Sequence, residues 1–226
     1  LTLLDDYTVQ SLNVITQVSQ YQLRSYLQSP LDLTISEYDK QRNLIIVKGS
    51  NPRLEQLAEQ LKKQYVKPID RAHAILNTFR ESNYFYTLQA PKLISNSLDQ
   101  FYFDTKSGFC VHYASSFTYL MRAAGIPARI VTGYLGGEFN NVNIENDPSQ
   151  INQKGGHLSI YQYDAHAWSE IWLPNVGWKR IDPTAAVDPE RVESGWSNAL
   201  LTQQFSLNND LISLYQFKNI AWLNQL

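Results

Sequence analysis

Three stretches of the chain carry apolar residues at helical spacing. Leu54, Leu57, Ala58, Leu61 and Tyr65 form one stripe, with Asn51 placed as its N-cap and Pro52 at the first helical position. From Pro68 a second stripe runs through Ile69, Ala72, Ile75, Leu76 and Phe79. Both read as faces turned to a core, and His73, beside the second, reads as structural or exposed. A third stripe joins Ala114, Phe117, Leu120, Met121 and Ala124, and is stopped by Gly125 and Pro127, a glycine suited to the left-handed cap and a proline that cannot continue a helix. Ser97–Gln100 has capping-box spacing, which predicts a short helix through Phe101–Phe103 toward the polar turn Asp104–Gly108.

Other stretches have the period of strands. Tyr21–Leu27 alternates in part and Asn43–Val47 is a short β-branched run; together they predict a small N-terminal β appendage over residues 1–48. Within a core spanning 49–190, strands are expected at Tyr84–Leu88, at Ala128–Tyr134, and in a hairpin. Asp164–Leu173 forms one arm of that hairpin, Pro174–Gly177 the turn, and Trp178–Pro183 the return. Glu138–Gly156 is rich in Asn, Asp and Gln without periodicity and reads as a long polar surface loop. Residues 191–226 read as a C-terminal extension, with a helix over Asp210–Leu223 whose packing partner lies elsewhere. The chain begins at Leu1 and ends at Leu226 in mid-pattern, so it reads as a piece of a longer protein.

Composition narrows the function. At 226 residues one sizeable core is affordable without staples. With 19 basic and 21 acidic residues the net charge is −2, which gives no basic field for nucleic acid or anionic lipid. A single cysteine rules out an intrachain disulfide. No apolar run approaches the roughly 18 residues of a membrane helix.

That cysteine is the centre of the chemistry. Cys110 lies between the polar turn and the third stripe, hence at a helix N-terminus, where free N–H groups and the positive end of the dipole favour a thiolate. The hairpin supplies partners. If Trp172 faces Val176 across the turn, His166 faces Asp182, at a separation a carboxylate–imidazole hydrogen bond can span. A carboxylate on one ring nitrogen orients the other toward a nucleophile, and a Cys110–His166–Asp182 triad for acyl chemistry results. Each residue alone also has a structural reading: a small buried hydrophobe, a buried histidine, the start of a turn. A metal site is a weaker reading. Cys110, His112, His157 and His166 offer ligands, but Cys-x-His places its two residues roughly 200° apart on a helix, and no paired-ligand spacing is present. His112 is read as packed behind the nucleophile, His157 as part of the polar loop. Trp168 shares the His166 face of the strand, as a wall of the substrate cleft or as packing.

The blocks Gly108-Phe109-Cys110-x-His112-Tyr113-Ala114, Met121–Arg129, Thr132–Tyr134, Asp164–Trp168 and Gly177-Trp178-x-x-x-Asp182-Pro183-Thr184-Ala185 resemble the transglutaminase-like superfamily, in particular its bacterial membrane-anchored branch. The resemblance implies an α+β, papain-like core in which the nucleophile helix packs on an antiparallel sheet. By position it makes Cys110 the nucleophile, His166 the base and acid, and Asp182 the orienting carboxylate. It implies acyl transfer from a glutamine carboxamide to an amine through a thioester, with peptidases and deamidases among the relatives, and a non-catalytic interaction domain as a third possibility. It further implies protein or peptide substrates of the cell envelope, a periplasmic location, and a membrane segment beyond the C-terminal extension. No cofactor is expected, since no ligand cluster for zinc or calcium is visible. Val111 stands where that branch carries an acidic residue, and the Glu138–Gly156 loop is longer than usual.

Overall fold

The computed structural model describes residues 2–4, 9–17, 20, 22, 24, 32–141 and 156–188. In chain order the elements are β1 (Thr2–Leu3), β2 (Val9–Gln10), α1 (Glu37–Arg42), α2 (Pro52–Gln64), α3 (Pro68–Glu81), β3 (Phe85–Tyr86), α4 (Ser97–Asp99) running into a wider helical turn at Gln100–Thr105, β4 (Ser107–Gly108), α5 (Cys110–Ala123), β5 (Ala128–Tyr134), β6 (Glu138–Asn141), β7 (Gly156–Ser159), β8 (Ala165–Leu173) and β9 (Gly177–Ile181). The expected strand at Tyr21–Leu27 and helix at Asp210–Leu223 lie mainly or wholly outside the described residues. Among the described residues no helix is long and apolar enough to cross a membrane.

Helix α5 is the axis of the fold. It packs on α2 and α3 on one side and on β5 and β8 on the other. The expected single buried face understates it. All of Cys110–Arg122 except His112 is buried, including Ser115, Ser116, Thr118 and Tyr119. Such all-round burial marks a core helix, provided its polar groups find partners. Most do. Ser116 Oγ donates to the His112 carbonyl at 2.8 Å, Tyr119 Oη to Glu55 at 2.8 Å, and Arg122 Nε to the Ala128 carbonyl at 2.8 Å. The helix ends as its sequence predicts: Gly125 adopts φ 78°, while Ile126 N–H bonds the Met121 carbonyl and Gly125 N–H the Arg122 carbonyl, the paired bonds of a Schellman cap.

The two amphipathic helices bury their predicted stripes, Leu54, Ala58 and Leu61 on α2 and Ala72, Ile75 and Phe79 on α3, while His73 is exposed. Their caps differ from the sequence reading. Asn51 does not cap its own helix; its Oδ1 accepts from Leu98 and Asp99 N–H at 3.1 Å each. The Asp99 carboxylate in turn accepts from Arg53 and Leu54 N–H at 2.9 Å. Each side chain thus caps the other's helix, and Ser97 lies inside α4, so no capping box is formed there.

The run Asn43–Val47 is not a strand. It follows α1 as irregular chain, and its carbonyls are claimed by the core instead of by a neighbouring strand. Asn43 accepts from Ala128 N–H at 3.0 Å and Ile45 from Arg122 Nη1 at 3.0 Å. Ile46 packs against the core, so apolar β-branched content here reflects docking and not sheet pairing.

The site-bearing sheet has the antiparallel order β5-β8-β9. Its hairpin register differs from expectation. Trp172 pairs with Trp178 and Leu173 with Gly177, because the turn centres on Asn175, which takes φ 63° after Pro174 with Val176 N–H returning to the Leu173 carbonyl, as a type II turn requires. The shift is two residues. An even shift preserves the face of every side chain, so Asp182 stays on the side of His166. The polar loop expected over Glu138–Gly156 is partly a sheet: β6 and β7 pair antiparallel, with Phe139 opposite Leu158. A short ladder of backbone bonds needs little apolar content, and the surrounding Asn-rich sequence hid it.

Two hydroxyls lock α5 to β8. Ser169 Oγ donates to the Ala114 carbonyl at 3.0 Å, and Thr118 Oγ1 donates to Ser169 Oγ at 3.0 Å, with Ser169 fully buried. Ser169→Ala is expected to lower unfolding free energy by about 1–2 kcal/mol, since a buried donor and a buried acceptor each lose a partner. Urea denaturation of the variant against the parent checks this; an unchanged midpoint would refute it.

Candidate active site

Cys110 is the first residue of α5, with Phe109 as N-cap in extended conformation (φ −119°, ψ −179°). The sulfur-bearing side chain is 2% exposed and packs with Val111, Ala114 and Ala167, flanked by Tyr86, Phe109 and Ile130. Val111, where an acidic residue was expected, lies inside this apolar group at 1% exposure; a carboxylate there would be buried without a partner.

His166 is the second residue of β8, opposite Gly133 of β5. Its Nε2 lies 2.6 Å from Asp182 Oδ2, and its side chain also hydrogen-bonds Cys110. With Nε2 engaged by the carboxylate, Nδ1 is the ring nitrogen left for Cys110. Burial of the ring opposes its charged form. The hydrogen bonds to Asp182 and Cys110 outweigh that penalty and raise the imidazole above its ordinary value.

Asp182 reaches His166 diagonally and not as the directly facing residue. The β8–β9 ladder ends at Ser169–Ile181, and Asp182 then caps the short 3₁₀ turn Pro183–Ala186, accepting from Thr184 N–H through Oδ1 at 3.1 Å. One oxygen therefore fixes the carboxylate to the backbone and the other holds the imidazole. Trp168 lies on the same face, its ring nearly parallel to the imidazole at 26° with centroids 6.3 Å apart. The structure brings Cys110, His166, Asp182 and Trp168 together. His157 lies exposed on β7, outside this group, and among the described residues no cluster of three or more His, Cys, Asp or Glu is arranged to hold a metal ion.

His112 lies in the first turn of α5, two residues after Cys110. Its Nδ1 accepts from Phe109 N–H at 3.3 Å, and its ring lies against Phe109 and Phe101. Gly108 is required there, since a Cβ would fall 2.8 Å from His112 Cγ. Sequence reasoning missed this capping role, although His three residues beyond an N-cap is a visible signal. It also missed Ser169 and Thr118, whose polarity suggests solvent.

Burial pushes the His112 imidazole down from 6.5 to about 4. Between those values the unfolded chain binds a proton that the native protein does not, so this group's contribution to stability is lost as pH falls from about 6.5 toward 4, at up to about 1.4 kcal/mol per pH unit. For His166 the sign is reversed: its contribution is full below 6.5 and fades as pH rises through its raised value. His112→Gln is expected to flatten the acid-side slope in urea unfolding measured from pH 7 to 4. An identical slope in variant and parent would contradict the assignment.

Comparison with known proteins identifies the family. Residues 55–183 match the profile of the transglutaminase-like superfamily. A protein-glutamine gamma-glutamyltransferase of Pseudomonas aeruginosa is 36% identical over 224 residues, covering 99% of this chain and 32% of its own length. The human coagulation factor XIII A chain is 34% identical over 89 residues, which is 34% of this chain and 12% of that protein. The crystal structure of the periplasmic domain of TgpA from Pseudomonas aeruginosa superposes with a TM-score of 0.65 at 40% identity, over 74% of this chain and 54% of that one. The chain thus spans about a third of the curated bacterial relative and about half of the crystallised domain. With the helix that begins at Cys110 packed on an antiparallel sheet, the fold is papain-like, and the chain belongs to the transglutaminase-like superfamily.

Proposed function

We propose that this domain is a cysteine-dependent acyltransferase acting on glutamine carboxamides of proteins or peptides. The observation that carries the reading is the continuous chain of contacts from Cys110 through His166 to Asp182. In the first half-reaction the Cys110 thiolate attacks the carboxamide carbon, and the helix N-terminus, with Cys110 N–H first, receives the developing oxyanion. The His166 imidazolium protonates the leaving nitrogen from Nδ1, the C–N bond breaks, and ammonia departs from a thioester. In the second, an amine surrenders a proton to Nδ1 as its nitrogen attacks the thioester carbon, and the thiolate leaves. Asp182 holds the Nε2 proton throughout and so keeps Nδ1 aimed at the sulfur.

The apolar surroundings of the sulfur favour transfer over hydrolysis. Cys110 packs with Val111, Ala114, Ala167, Tyr86, Phe109 and Ile130, so apart from His166 and the Tyr86 hydroxyl a thioester held there meets apolar side chains. By analogy with the periplasmic domain of TgpA, we place the domain in the periplasm of a membrane-anchored parent, with cell-envelope proteins or peptides as substrates.

The test is incubation of the protein with a glutamine-containing peptide and a labelled primary amine. Cys110→Ala is expected to abolish incorporation, while His166→Gln and Asp182→Asn are expected to lower kcat by roughly 10²-fold or more. Ammonia release at the same rate with and without amine would reassign the domain as a hydrolase, and equal incorporation by parent and Cys110→Ala would end the enzymatic reading.

A further inference from the structure

His166, Trp168, Arg180 and Asp182 close a ring of contacts around the buried imidazole. Asp182 Oδ2 lies 2.6 Å from His166 Nε2 and 3.8 Å from Arg180 Nη2. The Arg180 guanidinium sits 4.2 Å from the centroid of the Trp168 ring, and Trp168 in turn stacks beside His166.

The sheet explains why Arg180 turns this way. Its cross-strand partner on β8 is Glu170, the expected salt-bridge mate. Glu170 is already taken, by Arg129 at 2.7 Å from the other side. Arg180 is left to lie over Trp168 and to approach Asp182. The indole depends on that contact. Its N–H is buried and has no hydrogen-bond partner among the described residues, so no polar anchor there sets the ring's orientation. What sets it is packing: Arg180 over one part, His166 alongside, and Gly133, where a Cβ would come within 2.9 Å of Trp168 Cη2.

We propose that Arg180 is a positioning residue of the active site, clamping Trp168 against the His166–Asp182 pair and sharing the Asp182 carboxylate with the imidazole. The proposal rests on the acyl-transfer reading of the site. Among the described residues the titratable groups beside His166 are Cys110 from α5 and Asp182 from the end of β9, and Arg180 reaches the imidazole through Asp182; Gly133 of β5 lies opposite it. Asp182 Oδ2 divides its attraction between a guanidinium and an imidazole. The Arg180 charge therefore restrains how tightly His166 holds its proton, which is the property that a group alternating between acid and base must have adjusted.

The experiment is a histidine NMR titration of the whole chain, its four imidazoles assigned by the signal lost in His166→Gln. Arg180→Gln removes the charge, and Arg180→Met removes it while keeping a long side chain over Trp168. Arg180→Lys keeps it. The Arg180 side chain is 49% exposed, so these variants are expected to fold. Gln and Met should each move the His166 titration up by about half a pH unit, a modest effect because the guanidinium is half solvated, and lower kcat with KM little changed. Lys should restore both values. A His166 titration that is unmoved or displaced downward in folded Arg180→Gln and Arg180→Met would overturn the proposal. The titration reads the imidazole whether or not any acyl group is transferred, so failure of the enzymatic assay leaves this result independent.

Discussion

Everything in this fold is subordinate to the seam between α5 and β8. The sulfur is on one element and the imidazole on the other, and in the proposed reaction such a pair tolerates little misplacement. Three contacts define the seam. Ala167 packs into the apolar group around Cys110, Ser169 bonds the Ala114 carbonyl, and Thr118 bonds Ser169. Ala114 is one helical turn beyond Cys110 and Ser169 is three residues beyond His166, so the hydroxyl bonds fix the axial position of the helix against the strand close to the site. Because the helix is buried all round, it cannot slide to a new register without stranding several polar groups in the core.

The rest of the chain holds that helix in place by claiming its polar groups. Arg122 reaches the carbonyls of Ala128 and Ile45, and Tyr119 the carboxylate of Glu55. The segment before α2 is thereby tied to the far end of the same helix that carries Cys110. Asn51 and Asp99 exchange caps between α2 and α4, which anchors the helical layer beneath it. Asp182 follows the same economy at the site itself, since one carboxylate starts a turn and steadies an imidazole.

Two histidines, one half-buried and one buried, show how strongly surroundings decide chemistry. His112 accepts a backbone N–H among aromatic rings and is driven toward the neutral form. His166, the more deeply buried, has a carboxylate and a thiol as neighbours and is driven the other way. In the proposed reaction it is the second environment that suits a group carrying a proton between a sulfur and a departing nitrogen. The Arg180–Trp168 pair adds a cover to that environment, and its orientation follows from Glu170 being engaged across the sheet by Arg129.

The periodic stripes on α2 and α3, the stop at Gly125, the strands at 128–134 and 165–173, and Cys110, His166 and Asp182 as a group were all legible from residue type and spacing, because local periodicity and helix-end chemistry are properties of neighbouring residues. Face parity survived even an error in hairpin register, since the turn's displacement was even. What the sequence by itself could not determine depended on partners distant along the chain. Asn43–Val47 gave up a strand because Ala128 and Arg122 took its carbonyls; Thr118 of α5 became core because Ser169 of β8 met its hydroxyl; and Asn51 capped another helix because Asp99 capped its own. Hydrogen-bond donors and acceptors are satisfied by whatever the fold brings near, and that choice is made only when tertiary structure closes.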